Sequence, residues 1–249
     1  MIASVDRLLI YPIKSLDSVK VDKVKVLSSG ALAGDRQLAI FDQEGNFVNG
    51  KRQPKIHQLR TRFTLNNQTI YLGEEQSFHL DRDRDKLESC LSEYFGFTVQ
   101  IRENPDTGFP DDTISPGPTI ISKATLETIA SWYENLSVEE VRARFRANIE
   151  ITGVPPFWED TLIGKSFLIG LVEVSGINPC QRCVVVTRDS QTGEVYSNFQ
   201  KIFTTNRKNN LPAYVDTTHF NHFFRLAINT RIAENQVNKT IALGDLVKL

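Results

Sequence analysis

The stretch VKVDKVKVLSSGALAGDRQLAIFDQEGNFV, residues 19–48, decides the fold because it repeatedly alternates β-branched or other apolar side chains with polar ones. Alternation at a period of two is typical of β-strands that bury one face. Between two such runs, residues 42–46 (DQEGN) place Gly and Asn where a tight hairpin needs positive φ. The stretch therefore predicts short strands and a hairpin, with these apolar positions: Val19, Val21, Val24, Val26, Leu38, Ile40, Phe47 and Val48.

Helical signals are few and short. From 83 to 95, apolar residues recur at spacings of three and four, which predicts one amphipathic helix with Cys90 packed on its buried stripe. Ser122 is placed to cap a second helix, and Ser137 with Glu140 forms a capping box for a third. Many short strands with few helices predict an α+β, predominantly β fold built from barrels or strongly bent sheets.

Composition excludes several classes of protein. The 249 residues carry 29 Lys and Arg against 30 Asp and Glu, and the net charge of −1 argues against a general nucleic-acid binder. The sequence contains neither the apolar run of about 18 residues that predicts a membrane-spanning helix nor the pattern of a secretory signal. Three cysteines are too few for a disulfide scaffold, which is typical of a reducing compartment. We therefore expect a cytoplasmic protein with no nucleic-acid and no membrane partner.

The least regular part of the chain is 102–118, which contains four prolines and two glycines. Such a composition predicts a linker or a long functional loop. It separates two predicted domains, 1–101 and 102–249. A second stretch, 204–212 (TTNRKNNLP), is polar and basic, and it is predicted to be a solvated loop or else a docking or gating loop.

The pattern that most clearly suggests a reactive or metal-binding site is the cysteine pair in PCQRC, residues 179–183. The apolar run that follows predicts a strand over 183–187 with Cys183 at its mouth. A neighbouring guanidinium favours the thiolate, which is the form that binds a metal or attacks an electrophile. The residues alone leave four interpretations open: a zinc site completed by His219 and His222, a redox dithiol, two buried packing residues, or a thiolate that ligates a soft metal carried by an anionic cofactor.

An anionic cofactor would need cationic groups, and these occur at predicted element boundaries, where binding groups are common. Three short motifs supply them: YPIKS at 11–15, GDR at 34–36 and FRAN at 145–148. Taken singly, each charge is more often a solvated surface group than a ligand.

Together these motifs resemble the MOSC proteins that carry an N-terminal MOSC β-barrel domain. This is the group related to the molybdenum cofactor sulfurase C-terminal domain and to the mitochondrial amidoxime-reducing component. The resemblance rests on YPIKS, GDR with a downstream KRQP, FRANI, and PCQRC followed by VVVTRDSQTGE, in that order over nearly the whole chain. It implies an N-terminal β-barrel-like MOSC domain over 1–101 and a C-terminal MOSC β-barrel with a few short helices over 102–249.

By the same resemblance, the second cysteine of the pair, Cys183, would be the molybdenum ligand and the catalytic residue. The pyranopterin and its phosphate would be held by six cofactor-binding residues: Lys14, Ser15, Arg36, Arg146, Asn148 and Arg182. Planar guanidinium groups suit such an anionic cofactor because they form paired hydrogen bonds to phosphate. Ser115 and Thr119 lie in a proline-rich stretch that does not align cleanly with the family pattern, and they are not included in this set.

The activity implied by the resemblance is molybdenum-dependent reduction of small N-hydroxylated or N-oxide substrates. The alternative is a molybdenum-cofactor carrier or sulfur-handling module without turnover. We expect the chain to differ from its relatives in two ways, because it lacks the membrane-targeting extension of mitochondrial members and the ferredoxin domain fused to some bacterial ones. A reductase of this kind would need a separate electron donor, such as a ferredoxin or a flavin or haem reductase chain.

Overall fold

The computed structural model describes residues 2–74 and 76–249. Within them, the strands are β1 (Ala3–Ile10), β2 (Val19–Val21), β3 (Lys23–Lys25), β4 (Leu38–Asp42), β5 (Thr61–Thr64), β6 (Thr69–Leu72), β7 (Gln76–His79), β8 (Val99–Glu103), β9 (Ile120–Ser122), β10 (Ile149–Thr152), β11 (Ser166–Ile169), β12 (Val172–Gln181), β13 (Arg225–Arg231), β14 (Thr240–Ala242) and β15 (Leu246–Lys248). The α-helices are α1 (Arg84–Phe95), α2 (Lys123–Ala130), α3 (Val138–Phe145) and α4 (Phe199–Asn209). The fold is α+β and mainly β, which confirms the class that the sequence predicts.

Seven strands close into a barrel that draws on distant parts of the chain. The order around it is β10, β9, β13, β12, β11, β15 and β1, and pairing of β1 with β10 closes the ring. In the register, Leu8 lies opposite Ile149 and Ala3 opposite Val247. The barrel therefore takes its closing strand from the first ten residues and the rest from residues after 119. The division of the chain into domains at residue 101 stays a prediction.

The barrel interior is apolar because alternate side chains of each strand point inward. The buried residues of this cluster include Leu8, Ile151, Val172 and Ile228. Their removal from water is the main stabilising contribution to this part of the fold. Apolar side chains thus fill the barrel interior, and a binding or catalytic site has to lie outside it.

The first hundred residues also form small sheets that pack on α1 around a second core. The hairpin predicted at 42–46 is confirmed, because the Asp42 amide donates to the Asn46 carbonyl and Gly45 adopts positive φ. Helix α1 is confirmed as well. Cys90 packs, partly buried, against the same core.

The capped helices begin where the sequence predicts. Ser122 Oγ accepts a hydrogen bond from the Thr125 amide, and Ser137 Oγ accepts one from the Glu140 amide, both at 3.1 Å. Capping satisfies backbone donors that a helix cannot pair internally. The Glu140 carboxylate, expected to return to Ser137, binds Arg144 instead. The second half of the capping box is therefore replaced by an ion pair within α3, to the residue four positions further on.

Two local predictions are wrong. Residues 204–212 were expected to form a loop, but α4 extends to Asn209 because Phe199, Phe203 and Arg207, spaced by four, are all buried on one face. Residues 183–187 were expected to form a strand, but Val184–Thr187 is a short 3₁₀ helix in which Thr187 Oγ1 donates to the Val184 carbonyl. β-branched residues favour strands only where a partner strand is available.

Among the described residues, none of the helices combines the length and the apolar character needed to cross a bilayer.

Candidate functional site

One large cavity, of about 1480 Å³, is lined by residues from both halves of the chain. Twelve Lys and Arg residues line it, against six Asp and Glu. Because the whole protein carries a net charge of only −1, this cationic surplus is local. A recessed wall with an excess of one charge attracts ligands of the opposite charge. The cavity is therefore suited to an anionic ligand.

All of the site residues expected from the sequence meet at this cavity. Backbone pairing brings them there, because residues 11–14 run beside 36–38 and the Leu9 amide donates to the Asn148 carbonyl. The cavity wall includes the full predicted set: Lys14, Ser15, Arg36, Arg146, Asn148, Arg182 and Cys183. Residues far apart in sequence thus form one continuous surface.

Tyr11 lies at the centre of the cationic groups. Its ring faces the guanidinium groups of Arg36 and Arg146, at 4.9 Å and 4.0 Å from the ring centroid. The face of an aromatic ring attracts cations, so Tyr11 supports two like charges next to each other. Burial raises the pKa of Tyr11 to about 12, although both arginines oppose the rise. The phenol therefore stays neutral at physiological pH.

Lys14 is held by the irregular segment 102–118. Its Nζ donates to the Phe109 carbonyl at 2.8 Å and to the Asp111 carboxylate. Burial favours the neutral form of Asp111, but Lys14 and Arg36 outweigh it and lower the pKa of this carboxyl. An ionised Asp111 thus balances part of the positive charge at the cavity. Residues 102 and 103 end β8, and the rest of the stretch, 104–118, is accordingly a loop that contributes to the cavity wall.

Arg36 and Asn148 link the two halves of the site. Arg36 donates to the Asp35 carboxylate, to Asn148 Oδ1 at 3.5 Å and to the Arg146 carbonyl at 3.4 Å. Asn148 is buried, its Oδ1 accepts from the Thr119 amide, and its Nδ2 donates to the Leu9 carbonyl. The polar atoms of Asn148 therefore bind the chain itself and position its neighbours.

Three of the expected site residues adopt left-handed backbone conformations. The φ angles are +73° at Ser15, +51° at Arg36 and +53° at Arg146. This region favours glycine, and each such residue costs roughly 1 kcal/mol or more. Arg146 occupies the position after α3 where glycine commonly ends a helix. Three of the nine described non-glycine residues with positive φ thus lie on the cavity wall.

The cysteine pair lies at the end of β12, on the same wall. Cys183 is exposed, and Cys180 is partly buried. Burial raises the pKa of the Cys180 thiol, although Arg182 opposes the rise. The Arg182 guanidinium donates to the Leu226 and Phe145 carbonyls at 3.0 Å. Arg182 thus fixes the chain beside Arg146, while Cys183 presents its sulfur to the cavity.

The four residues of the zinc interpretation do not form a metal site in this structure. Within residues 2–74 and 76–249, no group of three or more His, Cys, Asp or Glu is arranged to hold a metal ion. His219 lies 3.7 Å from an Asp216 oxygen, and His222 Nδ1 accepts from the Phe224 amide at 3.2 Å. Both histidines therefore have local partners instead of the cysteine pair.

Some residues of the site are not apparent from the sequence. Thr119, left out of the expected set, donates to Asn148 and lines the cavity, and Ser115 is buried on the same wall. The role of Asp111 is also not apparent, because its partner Lys14 lies 97 positions away. The available signal was the concentration of Pro, Gly and Asp in 102–118, which is typical of functional loops.

Two protein-family models match the chain. The MOSC N-terminal beta barrel domain matches residues 2–107, and the MOSC domain matches residues 119–247. The electropositive cavity beside a mainly β scaffold therefore belongs to a MOSC protein. This chain is a member of the MOSC family, as its motifs suggest.

Its curated relatives fall into two groups. It is 27% identical over 244 residues to mitochondrial amidoxime reducing component 2 of Bos taurus, covering 78% of this chain and 69% of that protein. It is 26% identical over 237 residues to mitochondrial amidoxime-reducing component 1 of Homo sapiens, covering 77% and 68%. It is also 24% identical over 211 residues to molybdenum cofactor sulfurase of Caenorhabditis elegans, covering 74% of this chain. The match spans only 29% of that sulfurase.

Proposed function

We propose that the protein binds the molybdenum cofactor and is an oxidoreductase that reduces N-hydroxylated or N-oxide compounds, with electrons from a separate donor protein. The donor would be a ferredoxin or a flavin or haem reductase chain. The names of the amidoxime-reducing relatives support the reaction class. The MOSC family and the sulfurase relative support the link to the cofactor.

The observation that carries the proposal is the convergence of an exposed thiol and a group of cations on one cavity. A pterin dithiolene with a phosphate is strongly anionic, and its burial requires fixed cations. The buried Lys14 and the guanidinium groups of Arg36 and Arg146 meet that need. A soft thiolate such as that of Cys183 is the protein ligand that a molybdenum centre would accept. The residues present therefore fit the cofactor.

Each residue would have a distinct role. Cys183 would ligate the metal, and Lys14, Ser15, Arg36 and Arg146 would hold the anionic part of the cofactor. Arg182, whose guanidinium donates to backbone carbonyls, and Asn148, whose Nδ2 donates to the Leu9 carbonyl, would position those groups. The bound cofactor would supply two-electron chemistry that removes the substrate oxygen, with two protons, as water.

Metal and pterin analysis of gently purified protein tests the proposal. Wild type should contain molybdenum and pterin and should reduce an amidoxime with a chemical electron donor. Cys183→Ser should lose activity completely while it keeps the wild-type unfolding midpoint. Cys180→Ser is the matched control and should lose less, because Cys180 is not the expected ligand. Full turnover by Cys183→Ser would exclude the proposed ligand, and equal loss in both variants would favour a dithiol.

The relationship to molybdenum cofactor sulfurase favours a second candidate, a cofactor carrier or sulfur-handling module without turnover. The two candidates differ in one measurement. Retained molybdenum and pterin without any amidoxime reduction, under a strong chemical donor, would support the carrier.

A further inference from the structure

Arg188 is a cation of the cavity wall that the proposed cofactor set does not use. It follows the 3₁₀ helix Val184–Thr187, five residues after Cys183, and it lines the cavity. At the rise of a 3₁₀ helix, this separation is roughly 10 Å along the chain. A small molecule bound next to Cys183 would therefore have Arg188 within reach of its far end.

The guanidinium of Arg188 forms no ion pair with any of the described residues. No carboxylate of residues 2–74 and 76–249 lies within 4.0 Å of it. Its Nη1 donates to the Gly193 carbonyl at 3.0 Å, while its buried Nε has no acceptor in that part of the chain. A buried donor without an acceptor costs about 1–3 kcal/mol. Arg188 therefore lines the cavity with one hydrogen bond to a backbone carbonyl and no ion pair among the described residues.

Two neighbours extend this positive region. Arg144, whose side chain is only 3% exposed, lines the cavity, and its buried Nη1 has no acceptor among the described residues. Its other nitrogens lie 2.6 Å from Glu140 and 3.7 Å from Asp189. His57 also lines the cavity, and burial and then the charges of Arg188, Arg146 and Arg144 lower its pKa, while Asp189 opposes this. The neutral form of this imidazole is thus favoured. Because Glu140 and Asp189 balance Arg144, Arg188 is the cation of this group that has no carboxylate within 4.0 Å among the described residues.

We propose that Arg188, supported by Arg144, forms a second anion subsite that binds a carboxylate on the substrate. The inference rests on the proposed function and names the substrate class: N-hydroxylated compounds that carry a carboxylate on the side opposite the N–O group. A planar guanidinium fork matches the two oxygens of a carboxylate, and a charge-assisted pair in a recessed site is stronger than one on the surface. Arg188 is thus a specificity-determining residue.

The first test compares turnover of 4-carboxybenzamidoxime and benzamidoxime. Wild type should prefer the carboxylated substrate in kcat/KM by about tenfold, and Arg188→Gln should abolish that preference. Arg188→Lys, which keeps the charge but not the fork, should retain part of it. Arg62→Gln is the matched control, because Arg62 also lines the cavity and has no ion pair within residues 2–74 and 76–249, but it stacks on Tyr71. An equal loss of preference in Arg62→Gln would overturn the assignment to Arg188.

The second test does not depend on turnover. By titration calorimetry, 4-amidinobenzoate should bind wild type about tenfold more tightly than benzamidine, and Arg188→Gln should bind both alike. Equal affinities in wild type would overturn the subsite, as would loss of molybdenum and pterin from Arg188→Gln, which would assign Arg188 to the cofactor. If neither amidoxime is reduced but 4-amidinobenzoate binding still depends on Arg188, the reductase proposal fails and the subsite stands.

Discussion

Arginine side chains are partly buried at the cavity and fully buried under α4, and the two regions differ in what surrounds the charge. At the cavity, Arg36 and Arg146 share the ring of Tyr11, adopt left-handed backbone conformations, and belong to a wall with more cations than carboxylates. Under α4, Arg207 is completely buried, with its guanidinium 4.1 Å from the centroid of the Phe157 ring and an ion pair to Asp160.

The second region is closed and contains its own counter-charges. Glu159 and Asp160 are almost fully buried beside Arg207, and none of the three lines the cavity among the described residues. A buried ion pair of this kind adds little net stability, but the removal of one member is costly. The comparison shows that burial of a charge does not by itself indicate a binding site. A recessed wall with a surplus of cations, some of them on strained backbone, is the better indicator.

The largest expected effect is on the closed region. Arg207→Met leaves Asp160 buried without its partner, so the free energy of unfolding at pH 7 should fall by roughly 3–5 kcal/mol. Urea denaturation followed by circular dichroism measures this loss. The double variant Arg207→Met/Asp160→Leu should recover most of it, because apolar residues can replace a buried pair. A loss below about 1 kcal/mol in the single variant would show that the pair is not closed.

The next effect concerns pH. Burial, and then repulsion from Asp160, raises the pKa of Glu159 to about 7, well above its ordinary value. A carboxyl whose folded pKa is raised stabilises the protein at low pH, and this contribution is lost as pH rises towards 7. Between pH 5 and pH 8, wild type should therefore lose about 3 kcal/mol of unfolding free energy relative to Glu159→Gln. Parallel pH profiles for the two proteins would contradict the shift.

At the cavity, in contrast, substitution of an arginine should change the cofactor content much more than the unfolding free energy. Arg146→Gly removes a cation–π contact and a hydrogen bond to the Leu16 carbonyl, but it relieves a left-handed backbone. These contributions offset each other, so the unfolding free energy should change by no more than about 1 kcal/mol. Molybdenum and pterin content should nevertheless fall several-fold. Strong destabilisation with full cofactor content would show that Arg146 is structural.

The smallest effect separates the ring of Tyr11 from its hydroxyl. Tyr11→Phe loses only a 3.3 Å hydrogen bond to the Ala147 carbonyl, so stability should fall by about 0.5–1 kcal/mol and cofactor content should be unchanged. Tyr11→Leu also removes the face that supports Arg36 and Arg146 and should lower cofactor content. Equal cofactor loss in both variants would assign the role to the hydroxyl.

The sequence predicted the features that depend on neighbouring residues. The caps at Ser122 and Ser137 and the hairpin at 42–46 follow from local hydrogen bonding. Helix α4 was missed although Phe199 and Phe203 have helical spacing, because the polar residues around them suggest a loop. The strand expected at 183–187 failed because no partner strand lies beside it. Local propensity cannot report tertiary pairing.

The cavity could not be predicted from neighbouring residues, because it depends on tertiary pairing. Its cations were found through motifs, and their meeting on one wall follows from barrel closure, which no short stretch of sequence encodes. The ion pair of Arg207 with Asp160 spans 47 positions, so the pattern around Arg207 gave no sign that its charge would be buried. Arg188 was not distinguished from other surface charges, because only the structure shows which cations lack a carboxylate nearby.

Barrel closure also bears on how the chain folds. The closing strand β1 pairs with β15 as well as β10, so Ala3 has to pair with Val247, which lies 244 positions further along the chain. Contacts of such long range are slow to form, and the early segment remains exposed meanwhile. The ring of strands is therefore complete only after residues near 3 and near 247 have met, which predicts slow folding of the scaffold that positions the cavity wall.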